Sequence, residues 1–67
     1  MFLFIECESI EKKHRLVNSI RQLGYKARPT DIGLVFDKAL LYNISLFDMP
    51  EWLWLEWEWL ATESRAI

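Results

Sequence analysis

The chain is 67 residues long, with 52% hydrophobic and 15% aromatic residues and a formal net charge of −2. This composition excludes a disordered chain, which needs low hydrophobicity, and two Gly and two Pro exclude collagen-like and low-complexity sequence. One cysteine, Cys7, and one histidine, His14, exclude an internal disulfide framework and a four-ligand zinc site.

Residues 2–7, Phe-Leu-Phe-Ile-Glu-Cys, read as a strand, being aromatic and branched and too short for a helix. Phe2 and Phe4 fall on one face and Leu3, Ile5 and Cys7 on the other, so a central strand covered on both sides is expected. Ser9 is an N-cap for a helix over about residues 10–23, with Glu11 in its first turn and Gly24 at the C′ position. Ile10, Leu16, Val17, Ile20 and Leu23 form its apolar stripe. Residues 25–29 alternate as a second strand, which Pro29 confines to an edge or ends. A turn over 30–33 leads to a third strand at Leu34-Val35-Phe36, antiparallel to the second.

Residues 38–47 fit two patterns. Asp37 suits the cap of a short helix through Ala39, Leu40, Leu41 and Ile44, whereas Leu40, Tyr42, Ile44 and Leu46 alternate as in a strand. The Ala-Leu-Leu run favours helix. Asp48-Met49-Pro50-Glu51 is a helix start, with Asp48 as cap, and one helix is expected from there to about Ser64. The result is a single α+β domain, residues 1–67. It has a small antiparallel or mixed sheet and two to three helices in the order β-α-β-β-(α)-α. The opening order is shared with ferredoxin-like and regulatory ligand-binding folds, a similarity of architecture that carries no function.

The most distinctive stretch is Glu51-Trp52-Leu53-Trp54-Leu55-Glu56-Trp57-Glu58-Trp59-Leu60. At about 100° per residue, Glu51, Glu58, Thr62 and Arg65 form one polar stripe and Glu56 and Glu63 a narrower one. Between them lie two apolar faces: Trp52, Leu55 and Trp59 on one, Leu53, Trp54, Trp57, Leu60 and Ala61 on the wider other. A surface helix needs one apolar stripe. The wider face suits the sheet. The narrower face is then assigned to a partner, with Trp54 at the boundary and Glu56 and Glu63 as an acidic rim.

Charge is divided along the chain. Residues 1–30 hold six Lys and Arg against three Glu, giving +3, and residues 31–67 hold two against seven Asp and Glu, giving −5. An acidic second half attracts a basic partner, and a bipolar chain favours head-to-tail association. The basic residues Lys12, Arg15, Arg21, Lys26 and Arg28 lack interleaved aromatics apart from Tyr25, so nucleic acid is not expected. The Trp helix is acidic where membrane-surface helices are basic, and no apolar run approaches the roughly 20 residues of a bilayer span, so no membrane partner is expected. Met1 to Ile5 is apolar but lacks a basic start and ends at Glu6, so no signal peptide is expected, and a cytoplasmic location follows.

No catalytic constellation surrounds His14, and Cys7 stands between Glu6 and Glu8, which oppose thiolate formation, so no enzyme and no cofactor are expected. A small core gives only about 3–5 kcal/mol without disulfide, metal or oligomerisation. The sequence therefore points to a small non-enzymatic protein-binding module that self-associates, as a homodimer or higher homo-oligomer. By its class it suits an inhibitor or adaptor of virus or mobile-element type, blocking a larger complex through the Trp helix. Its partner is expected to carry a basic-edged apolar groove. The alternative is a homo-oligomeric small-molecule-binding regulatory domain, with the ligand between sheet and helices.

Overall fold

The structure is a computed structural model that describes residues 1–43 and 49–67. Its elements run β1 (Phe2–Glu6), α1 (Ile10–Gln22), β2 (Ala27–Pro29), β3 (Gly33–Asp37), α2 (Leu40–Asn43), α3 (Glu51–Leu55), α4 (Trp57–Glu63) and β4 (Arg65–Ala66). The four strands form one antiparallel sheet in the order β2-β3-β1-β4, and the helices supply the second layer of an α+β fold. Each edge strand is short, three residues in β2 and two in β4, which limits pairing with another chain.

The start and stop of α1 follow from local chemistry. Ser9 is extended, at φ −77° and ψ 117°, and its side-chain oxygen accepts the Lys12 N–H at 3.2 Å. At the other end Gly24 adopts φ 95°, a left-handed conformation that costs glycine little. Its N–H donates to the Arg21 carbonyl at 3.0 Å and the Tyr25 N–H donates to the Ile20 carbonyl at 3.2 Å, the bond pair of a Schellman cap. That cap takes Tyr25 out of the strand, so β2 begins at Ala27 and not at residue 25 as the alternation suggested.

The β2–β3 hairpin forms as expected, with Arg28 opposite Val35 and Pro29 opposite Leu34 on the edge. The Thr30 N–H donates to the Gly33 carbonyl, and the Gly33 N–H donates to the Thr30 hydroxyl at 3.0 Å. Gly33 pairs with Glu6 across the sheet, and a Cβ there would collide with the Ile5 carbonyl oxygen. A glycine is therefore required by the close approach of two backbones.

β1 is central, between β3 and β4, as its sequence indicated. Its two faces differ. Leu3, Ile5 and Cys7 meet Leu34, Phe36 and Ala27 beneath the α1 stripe of Leu16, Val17 and Ile20, with Leu40, Met49, Leu53 and Leu60 completing the core. The expectation of cover on both sides fails: Phe2 is 40% exposed and Phe4 is only partly buried. All the described helices pack on one face of the sheet, and none of them covers the other.

Helix wins over strand at the start of the ambiguous stretch, where α2 spans Leu40–Asn43 and the Asp37 carboxylate accepts the Ala39 N–H at 2.9 Å. The rest of that reading, and the Asp48 cap, lie outside the described residues. The single C-terminal helix is corrected to two, α3 and α4, separated by Glu56 at φ −94° and ψ −3°. There the Leu53 carbonyl accepts the Glu56 N–H at 3.1 Å, a three-residue turn tighter than that of the α-helix. β4 was not anticipated. The last residues leave α4 extended and add to β1, with Leu3 opposite Ala66 and Phe4 opposite Arg65.

Candidate functional site

Counted at about 100° per residue, the residues of α3 and α4 fall on distinct sides. Leu53 and Leu60 point into the core and are each 0% exposed. Trp52, Glu56 and Trp59 lie to one side, where the cationic face of α1 meets them. The Arg15 guanidinium carbon sits 4.3 Å from the Trp52 ring centroid, and the Lys12 Nζ sits 4.2 Å from that of Trp59. Lys12 also pairs with Glu56 at 2.8 Å. The basic residues of α1 are therefore engaged within the chain: two rings take the positive charge on their faces, and the carboxylate between them takes the rest. Arg21 is engaged too, its Nε donating to the Ala27 carbonyl at 2.8 Å.

These contacts change the inventory of expected partner residues. Trp52, Trp59 and Glu56 are half-buried against α1, whereas Trp54, Leu55 and Glu63 are exposed. Each apolar face read from the sequence is split: Leu53 and Leu60 of the wider one lie in the core and Trp52 and Trp59 of the narrower one on α1, while Trp54, Ala61 and Leu55 are exposed. Opposite Leu53 and Leu60 lies an outer arc of Glu51, Leu55, Glu58 and Thr62, flanked by Trp54 and Ala61, all exposed. Leu55 is 80% exposed and Trp54 38%. Trp54 and Trp57 make a tilted ring pair with centroids 6.4 Å apart. Within this arc the charges are the two carboxylates Glu51 and Glu58.

The open face of the sheet is the second surface. Strand register places Arg28, Val35, Phe4 and Arg65 in one row across all four strands, with Asp37 and Phe2 paired in the next. A cleft of about 350 Å³ lies there, lined by Phe2, Lys26, Ala27, Arg28, Val35 and Ile67. It is on the far side of the sheet from the helices, and Phe4 and Tyr25 do not line it. The ligand pocket anticipated between sheet and helices is not where this cleft is.

The remaining candidates are structural. Cys7 is buried, and its thiol lies 3.6 Å from the Ser9 carbonyl oxygen. His14 is exposed on α1. Lys13, unremarked in the sequence, is buried and its Nζ donates to the Thr30 carbonyl at 2.6 Å, tying α1 to the β2–β3 turn. Among the described residues no cluster of three or more His, Cys, Asp or Glu side chains is placed to hold a metal ion. No described helix is long and apolar enough to cross a membrane. Comparison of the chain with protein-family models, with curated proteins and with solved structures finds no match.

Proposed function

We infer that this chain is a non-enzymatic protein-binding module whose contact surface is the outer arc of α3 and α4. One observation carries the reading: Leu55 is 80% exposed on the outward side of α3 and α4, the side that also carries the carboxylates Glu51 and Glu58. A large exposed apolar side chain costs solubility and suits a hot spot when a partner excludes water from it. The acidic rim favours a partner whose apolar groove is edged by Lys or Arg. Trp52 and Trp59 hold α3 and α4 against α1 and so fix the arc in place. Blocking a larger complex by occlusion is the mode of action this surface suits, as an inhibitor or adaptor in the cytoplasm.

The test is retention of a host protein on the immobilised full chain. Leu55→Glu is expected to abolish retention while circular dichroism stays unchanged. Ile10→Glu, at an exposed apolar position on α1, is expected to keep it. Equal retention by the wild type and Leu55→Glu refutes the assignment of the arc.

A further inference from the structure

We propose that the cleft on the far side of the sheet binds a small amphipathic carboxylate, a monoanion with an apolar body of medium-chain size. The inference is independent of the outer arc of α3 and α4. It begins from strand register. Leu3, Phe36 and Ala27 stand in one row across three strands and face the core, so their neighbours Phe2, Val35 and Arg28 face the other way. Val35 is buried, yet it is not among the side chains of the core. It is the floor of the cleft, and the exposed residues Phe2, Ile67, Lys26 and Arg28 are the walls. A buried floor under exposed walls is the form of a concave site and not of a flat docking face.

Charge selects the ligand. Lys26 and Arg28 stand two positions apart on one strand, roughly 6.5 Å, and both line the cleft. Neither forms an ion pair among the described residues. Like charges this close repel, and an anion between them turns that repulsion into attraction. One acid lies beside them across the strands. Asp37 donates its N–H to the Lys26 carbonyl at 3.0 Å, and its carboxylate accepts the Ala39 N–H at 2.9 Å. Two cations against one carboxylate leave a single positive charge, which matches a monoanion. Glu6 and Arg65 are farther along the same face and do not line the cleft. Arginine takes a carboxylate through two parallel hydrogen bonds, and lysine adds a point charge. Phe2, Val35 and Ile67 supply the apolar contact for the rest of the ligand.

Volume sets the size. The cleft holds about 350 Å³, at the small end of ligand sites. At about 30 Å³ for each non-hydrogen atom, the share of a water molecule, there is room for about 12 of them. That is a medium-chain or aryl carboxylate, and too little for a two-chain lipid. A single ring in the lining, Phe2, gives a nucleic-acid strand no series of stacking platforms.

The experiment titrates the full chain with sodium octanoate below its micellar range and follows backbone amides by nitrogen–proton NMR. Saturable shifts are expected at Lys26, Arg28, Val35 and Ile67 and not along α3 and α4. Octanol and acetate, each with half of the ligand's chemistry, are expected to bind at least ~10-fold more weakly. Octylammonium is expected not to bind. Lys26→Gln/Arg28→Gln, at two exposed positions, is expected to keep the wild-type circular dichroism spectrum and lose at least ~10-fold in octanoate affinity. If the double variant does not fold, Arg28→Gln alone replaces it. Equal binding of octanol, or unchanged affinity in the variant, shows that no anion is recognised. Equal shifts with acetate show a bare ion contact only. Shifts that are absent, or that fall elsewhere, show that the cleft is not the site. Each of these results overturns the proposal, as does retention on phosphatidylserine vesicles with no response to octanoate. None of them touches the capture test on Leu55→Glu, so the two readings fail separately.

Discussion

Leu55 and Leu60 lie five positions apart on the same helical segment, and the same substitution at each separates burial from chemistry. Leu60→Ala removes three carbon groups from a side chain that is 0% exposed and packed in the core with Leu53. At about 0.8 kcal/mol for each buried group the transfer term is about 2.4 kcal/mol, and an unfilled cavity raises the total toward 3–4 kcal/mol. A chain of this length has a stability of roughly 3–10 kcal/mol, so Leu60→Ala removes a third of it or more. Leu55→Ala removes the same atoms from a side chain already 80% exposed, and the expected cost is within about 0.5 kcal/mol. Urea unfolding followed by far-UV circular dichroism measures both, at protein concentrations low enough that association adds nothing to apparent stability. Equal destabilisation by the two variants, at an unchanged denaturant slope, would refute the placement of Leu60 in the core and Leu55 on the outer arc.

Gly33→Ala is expected to cost about 2 kcal/mol or more, since the added Cβ meets the Ile5 carbonyl; thermal unfolding checks it. Gly24→Ala at φ 95° is expected to cost about 1 kcal/mol without altering the fold, read from the same melts. A double-mutant cycle on Lys12→Ala and Trp59→Ala is expected to return a coupling of about 0.5–1 kcal/mol, with the Lys12–Glu56 share weakening as salt rises. Cys7→Ser is expected to cost about 1 kcal/mol through the buried hydroxyl and to leave partner retention intact; loss of retention at full stability would give the thiol a chemical role.

Much of the architecture is legible in the sequence because local signals agree with it. Ser9 and Gly24 bound α1 by their own backbone chemistry, the alternation with Pro29 marks an edge strand, and Asp37 marks the entry to α2. The misses share a cause, since each depends on what lies across space. The two residues of β4 carry no strand pattern and are ordered by β1, and the turn at Glu56 has no breaker residue. The Trp faces were legible as patterns but not as assignments. Periodicity separates Trp52 and Trp59 from Leu53 and Leu60, yet it does not tell that Arg15 and Lys12 come to lie on those rings. Lys12 and Arg15 read as a solvated basic face until α1 is packed beside α3 and α4. The far sheet face was hidden for a similar reason: Phe2 and Phe4 look like core residues in a strand apolar on both sides, and only the distribution of the described helices leaves Phe2 exposed and Phe4 half-buried.

The most direct measurement is site-specific photo-cross-linking in the native cell, with a benzophenone side chain in place of Leu55, and in place of the exposed His14 on α1 as reference. Position 55 is expected to give discrete adducts, formed with a host protein or with a second copy of the chain, that position 14 does not give. No adduct at position 55, or the same adducts at both positions, would contradict the assignment of the outer arc of α3 and α4 as the binding surface.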